Sequence, residues 1–156
     1  MRSTVIRVPT DVIFRSATEA DLPAIVALLA DDAIGAGREG ESDRYLTAFR
    51  DVSADPRNHV VVADIDGEVA GTLQLTYIPG LSRMGAERAQ IEGVRVASTH
   101  RGRGLGREMI TWAVDQAKRR GCGLVQLTSD KRRTDAIRFY ASLGFESTHE
   151  GLKLSL

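Results

Sequence analysis

The stretch Ile91-Glu92-Gly93-Val94-Arg95-Val96, followed closely by Arg101-Gly102-Arg103-Gly104-Leu105-Gly106, decides how this chain is read. The first segment is apolar and rich in β-branched residues, which predicts a strand. The second is a glycine-rich turn, and the amphipathic run from Leu105 to Lys118 predicts a helix after it. Strand, glycine turn and helix together present backbone N–H groups at a helix N-terminus, where an anion is favoured. Arg101, Arg103 and Arg107 add positive charge at the same end. The predicted ligand is phosphorylated. A dinucleotide fingerprint begun at Gly102 needs a glycine at position 107, which is Arg107, and no G-x-x-x-x-G-K-[ST] string occurs. What remains is R-x-x-G-x-G.

Working outward, Val12 to Ala17 reads as a first strand. Asp21-Leu22-Pro23 reads as a helix start, with Asp21 as N-cap and Pro23 in the first turn. Leu22, Ile25, Val26 and Leu29 mark its buried face, and Gly35, Gly37 and Gly40 break the pattern. A more polar helix is expected over Ser42 to Val52. His59 to Ile65 and Glu68 to Tyr77 read as strands joined by the hairpin dipeptide Asp66-Gly67. Ala89 to Val96 feeds the glycine turn. After the long helix, Leu124 to Thr128 reads as a buried strand and Ala136, Phe139, Tyr140 and Leu143 as one face of a short helix. Phe145 to Leu156 is expected to form two short strands. The order is β-α-α-β-β-β-α-β-α-β-β, a mixed α/β fold with about six to seven strands in a central sheet and about four helices. Residues 1–11 are expected to be a loosely held lead-in and residues 12–156 one domain.

Composition narrows the classes further. The chain has 156 residues, enough to bury a core. Its 21 basic and 21 acidic residues cancel, so no global field favours nucleic acid or a membrane surface. A single cysteine, Cys122, rules out an intrachain disulfide, and His59, His100 and His149 lack metal-ligand spacing, so no metal is expected. No apolar run is long enough to cross a membrane. These features predict a soluble protein of a reducing, cytoplasmic compartment.

A second motif lies near the end: Ala136-Ile137-Arg138-Phe139-Tyr140-Ala141-Ser142-Leu143-Gly144-Phe145, or A-x-x-x-Y-x-x-x-G-F. With R-x-x-G-x-G before it and a helix and a strand between, it resembles the Gcn5-related N-acetyltransferases, the GNAT superfamily, from about Val12 to Leu156. That resemblance implies the GNAT fold and transfer of an acetyl group from acetyl-CoA directly to an amine, with no metal. It implies a V-shaped opening beside the strand, where backbone groups of Val94, Arg95 and Val96 meet the pantetheine arm. It places Arg101, Gly102, Arg103, Gly104, Leu105, Gly106 and Arg107 around the pyrophosphate, with Phe139 beside them. Tyr140 falls where family members carry a tyrosine that protonates the departing thiolate. Glu92 is the candidate general base, sharing a strand face with Val94 if no bulge intervenes; contact with the substrate amine is the other reading. A base is useful because an amine of pKa ~10.4 is neutral in only roughly one molecule in a thousand at neutral pH. Where the family carries an asparagine ahead of the tyrosine helix, this chain has Arg133.

The acceptor stays open. A small-molecule or amino-acid-like amine leads, with a peptide or protein amine and a non-catalytic acyl-CoA sensor as alternatives. Arg38, Glu39, Glu41, Arg83 and Arg88 lie in the loops expected to shape its site. Lys118-Arg119-Arg120 and Lys131-Arg132-Arg133 lack interleaved aromatics and read as solvated helix ends, not a nucleic-acid surface. A homodimer through the last strands is a further option.

Overall fold

The hairpin at the centre follows from its turn. Asp66 and Gly67 both adopt positive φ, 53° and 83°, the combination that matches the twist of paired strands. Asp64 Oδ1 accepts the Gly67 N–H at 2.8 Å and fixes the corner. On either side run β2 (Asn58–Ile65) and β3 (Glu68–Ile78). β1 (Ile13–Ser16) pairs antiparallel with β2, and β4 (Arg88–Val96) antiparallel with β3. β5 (Leu124–Leu127) pairs parallel with β4. The sheet order is β1-β2-β3-β4-β5. The computed structural model describes residues 11–40 and 42–156, so most of the expected lead-in, and Glu41, lie outside the described residues. Among these, no helix is long and apolar enough to cross a membrane.

Among the described residues, four helices of nine or more residues flank the sheet: α1 (Leu22–Ala30), α2 (Arg44–Ala54), α3 (Leu105–Arg120) and α4 (Thr134–Ser142). α3 carries the core face predicted for it, burying Leu105, Met109, Ile110, Ala113 and Ala117 against Val61, Ala63, Leu73, Leu75, Ala89 and Ile91. Its Met109 side chain presses on the sheet at Gly71, where an added Cβ would lie 2.7 Å from Met109 Sδ and 3.0 Å from the Arg95 carbonyl oxygen. Gly121, at φ 85°, ends the helix by returning its N–H to Lys118 and that of Cys122 to Ala117. α1 buries Ile25 and Leu28 and packs over β3 and β4.

Two expectations change. Asp21 does not cap α1 with its side chain. Its carboxylate instead accepts the Thr18 N–H at 2.7 Å and pairs with Arg15 at 2.7 Å, bracing a 3-10 turn (Glu19–Asp21) that leads into the helix. Among the described residues the sheet has five strands, and residues 145–156 form none. Leu152, Leu154 and Leu156 alternate as a strand would, yet all are exposed. Alternation makes one apolar face; without an element to cover it and a ladder partner, it does not make a strand.

Candidate active site

β5 accompanies β4 only halfway. Their parallel ladder runs from Arg88 with Leu124 to Ile91 with Leu127 and stops. β4 continues to Val96 with a partner only on the β3 side. Among the described residues, no strand pairs with this edge from Glu92 to Val96, as an added extended segment would require. The V-shaped opening expected beside Val94, Arg95 and Val96 would lie along this stretch.

A bulge sits at the apex. On β3, Gln74 pairs with Glu92 and Thr72 with Arg95, so two β4 residues, Gly93 and Val94, oppose the single Leu73. Gly93 takes φ 60°, which a side chain rarely adopts. Thr72 and Gln74 share a face of β3, so Glu92 shares its face with Arg95. It does not share one with Val94, whose side chain packs toward the core. The bulge overturns the simple alternation that would align Glu92 and Val94. Glu92 is exposed, and its Oε1 accepts from Gln90 Nε2 at 2.8 Å. Gln90 Oε1 in turn accepts from Gln126 at 2.7 Å.

The glycine turn has the geometry of an anion cradle. Gly102 and Gly104 take φ 72° and 87°, and nothing lies within 4 Å of a Cβ built on Gly102. Gly104 is the N-cap of α3. The N–H groups of Leu105, Gly106 and Arg107 belong to the first helical turn and have no carbonyl one turn back. Phe139 borders this end: its ring lies 3.5 Å from a Cβ built on Gly106. The arginines divide their duties. Arg101 reaches back to the Val96 carbonyl at 3.1 Å and to Asp31 at 3.2 Å, tying the turn to the end of α1. Arg107 donates to Ser142 Oγ on α4 at 3.1 Å.

Tyr140 packs edge-on against Phe139 and Phe145, with ring centroids 5.2 and 5.8 Å away. Burial raises its pKa, while Arg95 and Arg133 oppose the rise. The net upward shift keeps the phenol protonated at neutral pH, as an acid requires.

One cluster was invisible in the motifs. Asp32, just after α1, accepts N–H bonds from Ile34 (2.8 Å) and Gly35 (2.6 Å). The same carboxylate meets Arg133 Nη2 at 2.9 Å and Arg95 Nε at 3.0 Å. The Arg95 contact lies off the N–H axis, and neither atom has another partner. Burial works against the Asp32 charge, but the Gly35 N–H, Arg133, the Ile34 N–H and Arg95 outweigh it and hold the pKa at about 2. Nearby, Glu39 accepts from the Tyr45 hydroxyl at 2.6 Å and from Arg38 at 2.7 Å, and its pKa falls for those reasons. Arg133 thus occupies the asparagine's place with an ion pair to the α1–α2 loop. Of the loop residues singled out from sequence, Arg38 and Glu39 join this cluster. Arg83 sits on an exposed left-handed turn, and the Arg88 guanidinium lies by Gly80.

The sequence profile of the acetyltransferase (GNAT) family matches residues 22–145. Streptothricin acetyltransferase from Streptomyces lavendulae is 32% identical over 123 residues, which are 79% of this chain and 58% of that protein. Aminoalkylphosphonate N-acetyltransferase from Salmonella typhimurium is 30% identical over 142 residues, covering 86% of this chain and 85% of that protein. The chain therefore spans under two thirds of the first relative and most of the second. Among solved structures, one described as a transcriptional regulator from Bacillus halodurans C-125 superposes with a TM-score of 0.90 at 46% identity, covering 93% of this chain and 99% of that one.

Proposed function

Since this chain belongs to the acetyltransferase (GNAT) family and is an acetyl-CoA-dependent acyltransferase, we propose that its single domain, residues 12–156, acetylates a small-molecule amine. The observation that carries the reading is the run of β4 past the end of β5, from Glu92 to Val96, directly ahead of the glycine turn. An open strand edge and a phosphate site in sequence suit an extended arm ending in a pyrophosphate. Val94, Arg95 and Val96 line the arm by their backbone. The N–H groups of residues 101–107 hold the phosphates, with Phe139 packed beside Gly106.

In the reaction, the neutral amine nitrogen attacks the thioester carbonyl carbon. A C–N bond forms and the carbonyl electrons move to oxygen. A backbone N–H at the bulge near Val94 holds that oxyanion. Glu92, exposed and on the substrate side of the sheet, takes the amine proton directly or through water. As the carbonyl reforms, the C–S bond breaks and Tyr140 protonates the leaving thiolate. The products are the amide and CoA.

The named relatives act on small molecules, which favours such an acceptor over a protein. The resemblance to a transcriptional regulator does not by itself favour nucleic acid here. Within the two basic runs, Arg120 is paired with Glu87 and lies 4.0 Å over the Tyr77 ring. Lys131 pairs with Glu150, Arg132 with Asp130 and Arg133 with Asp32. With each of these four cations beside a carboxylate, they offer no run of unpaired charge to a nucleic-acid backbone.

The test is a panel of primary amines with acetyl-CoA, following acetylated products by mass spectrometry and CoA titration by calorimetry. Binding with product formation is expected. Failure to bind CoA overturns the reading; binding without turnover of any amine makes the protein an acyl-CoA sensor.

A further inference from the structure

The Asp32 cluster gathers more cations than it neutralises. Arg38, Arg95 and Arg133 come from three separate segments, the α1–α2 loop, β4 and the β5–α4 loop. Among the described residues, the acidic side chains paired with them are Asp32 and Glu39. Among the described residues, three positive charges thus meet two negative ones. Both carboxylates are already heavily engaged: Asp32 by two backbone N–H groups and two arginines, Glu39 by Tyr45 and Arg38. Arg95 is largely buried, its side chain 15% exposed, while Arg133 at 30% and Arg38 at 58% reach solvent. Burial pushes the Arg95 pKa down, and Arg133 and Arg38 push it the same way against Asp32. An excess positive charge held partly away from water is unfavourable alone and favours an incoming anion.

The place of this excess matters. Arg95 shares its sheet face with Glu92, two β3 positions along, a separation of about 7 Å. Arg95 and Arg133 are also close enough to Tyr140 to act on its hydroxyl. One end of this short span carries a carboxylate suited to an ammonium group, and the other carries guanidinium groups suited to an acid. We propose that the acceptor is a small primary amine bearing a carboxylate, phosphonate or phosphate group, and that Arg95 and Arg133, held by Asp32, recognise that group. This inference rests on the acetyl-transfer reading for its catalytic consequence, though not for the anion site itself.

The test compares matched amines: β-alanine, 2-aminoethylphosphonate and O-phosphoethanolamine against propylamine and ethanolamine, each with acetyl-CoA. The anionic amines are expected to exceed the uncharged ones in kcat/KM by about tenfold or more. Their order among themselves identifies the preferred acid group. Arg133→Gln is expected to shrink the anionic-to-neutral ratio about tenfold, and Arg133→Lys to restore part of it. Equal turnover of both classes by the wild type, or an unchanged ratio in Arg133→Gln, overturns the proposal while leaving acetyl transfer intact. If no amine releases CoA, acetyl transfer fails instead. Calorimetry of methylphosphonate on the CoA-loaded protein then decides the anion site: binding weakened in Arg133→Gln supports it, and no binding by the wild type overturns it.

Discussion

Replacing Asp32 with asparagine separates what its charge does from what its shape does. Asparagine keeps an oxygen that accepts the Ile34 and Gly35 N–H groups, so the turn after α1 retains its acceptor. What disappears is the negative charge between Arg95 and Arg133. The native pKa of about 2, against 3.8 for the ordinary group, sets the scale. Because the folded value lies below the unfolded one, the carboxylate stabilises the fold above the unfolded pKa, and this contribution fades as pH falls through the folded pKa. It is worth about 2 kcal/mol near neutrality and about 1 kcal/mol at pH 3, and approaches zero below about pH 2. The side chain is only 17% exposed, so solvent screening removes little of this. Asp32→Asn should therefore lose about 2 kcal/mol at pH 7, a fall in Tm of about 4–8 °C for a domain of this size. Leaving three arginines facing Glu39 alone adds to the loss. Urea unfolding of both proteins at pH 7 and pH 3 reads the difference. A gap that stays constant between the two pH values, or is absent at pH 7, refutes the assignment of the stabilisation to this ion cluster.

Three further outcomes follow from the geometry. Tyr140→Phe keeps the rings against Phe139 and Phe145, so it should lower kcat about ten- to a hundredfold with little change in stability, measured by CoA release and a thermal melt. Glu92→Gln discriminates the two roles open to that exposed residue: a base loses about ten- to a hundredfold in kcat, whereas a substrate contact raises the amine KM and spares kcat. Gly71→Ala forces a Cβ to within 2.7 Å of Met109 Sδ and should cost about 1–3 kcal/mol in urea unfolding, a loss that is absent if α3 can slide away from β3.

The strand, glycine turn and helix start were legible because each is a local feature. A strand, two left-handed glycines and a helix start lie within sixteen residues, Ile91 to Gly106, and each part is written in residue type. The hairpin at Asp66-Gly67 was legible for the same reason. The bulge was half legible: a glycine inside a strand pattern marks one, but the phase shift it imposes on Glu92 depends on which β3 residues it faces. The last strands misled because Leu152, Leu154 and Leu156 satisfy a period of two, and periodicity says nothing of what covers the face.

The proposed acceptor cluster was legible only in part: Arg38, Glu39 and Arg133 stood out in the sequence, but their meeting with Asp32 and Arg95 did not. Asp32 and Arg133 touch across 101 positions, and Arg95 meets them from a strand whose backbone serves the donor. Asp32, Arg38 and Arg133 stand outside the glycine turn and the Ala136–Phe145 motif, and Arg95 contributes its backbone to the opening whatever its side chain. Substitutions at these four positions can alter the charge offered to an acceptor while the open edge of β4 and the N-terminus of α3 stay as they are. On the proposed reading, donor and acceptor recognition fall to different atoms, backbone for one and side chains for the other, and a motif built on the backbone would specify only the first.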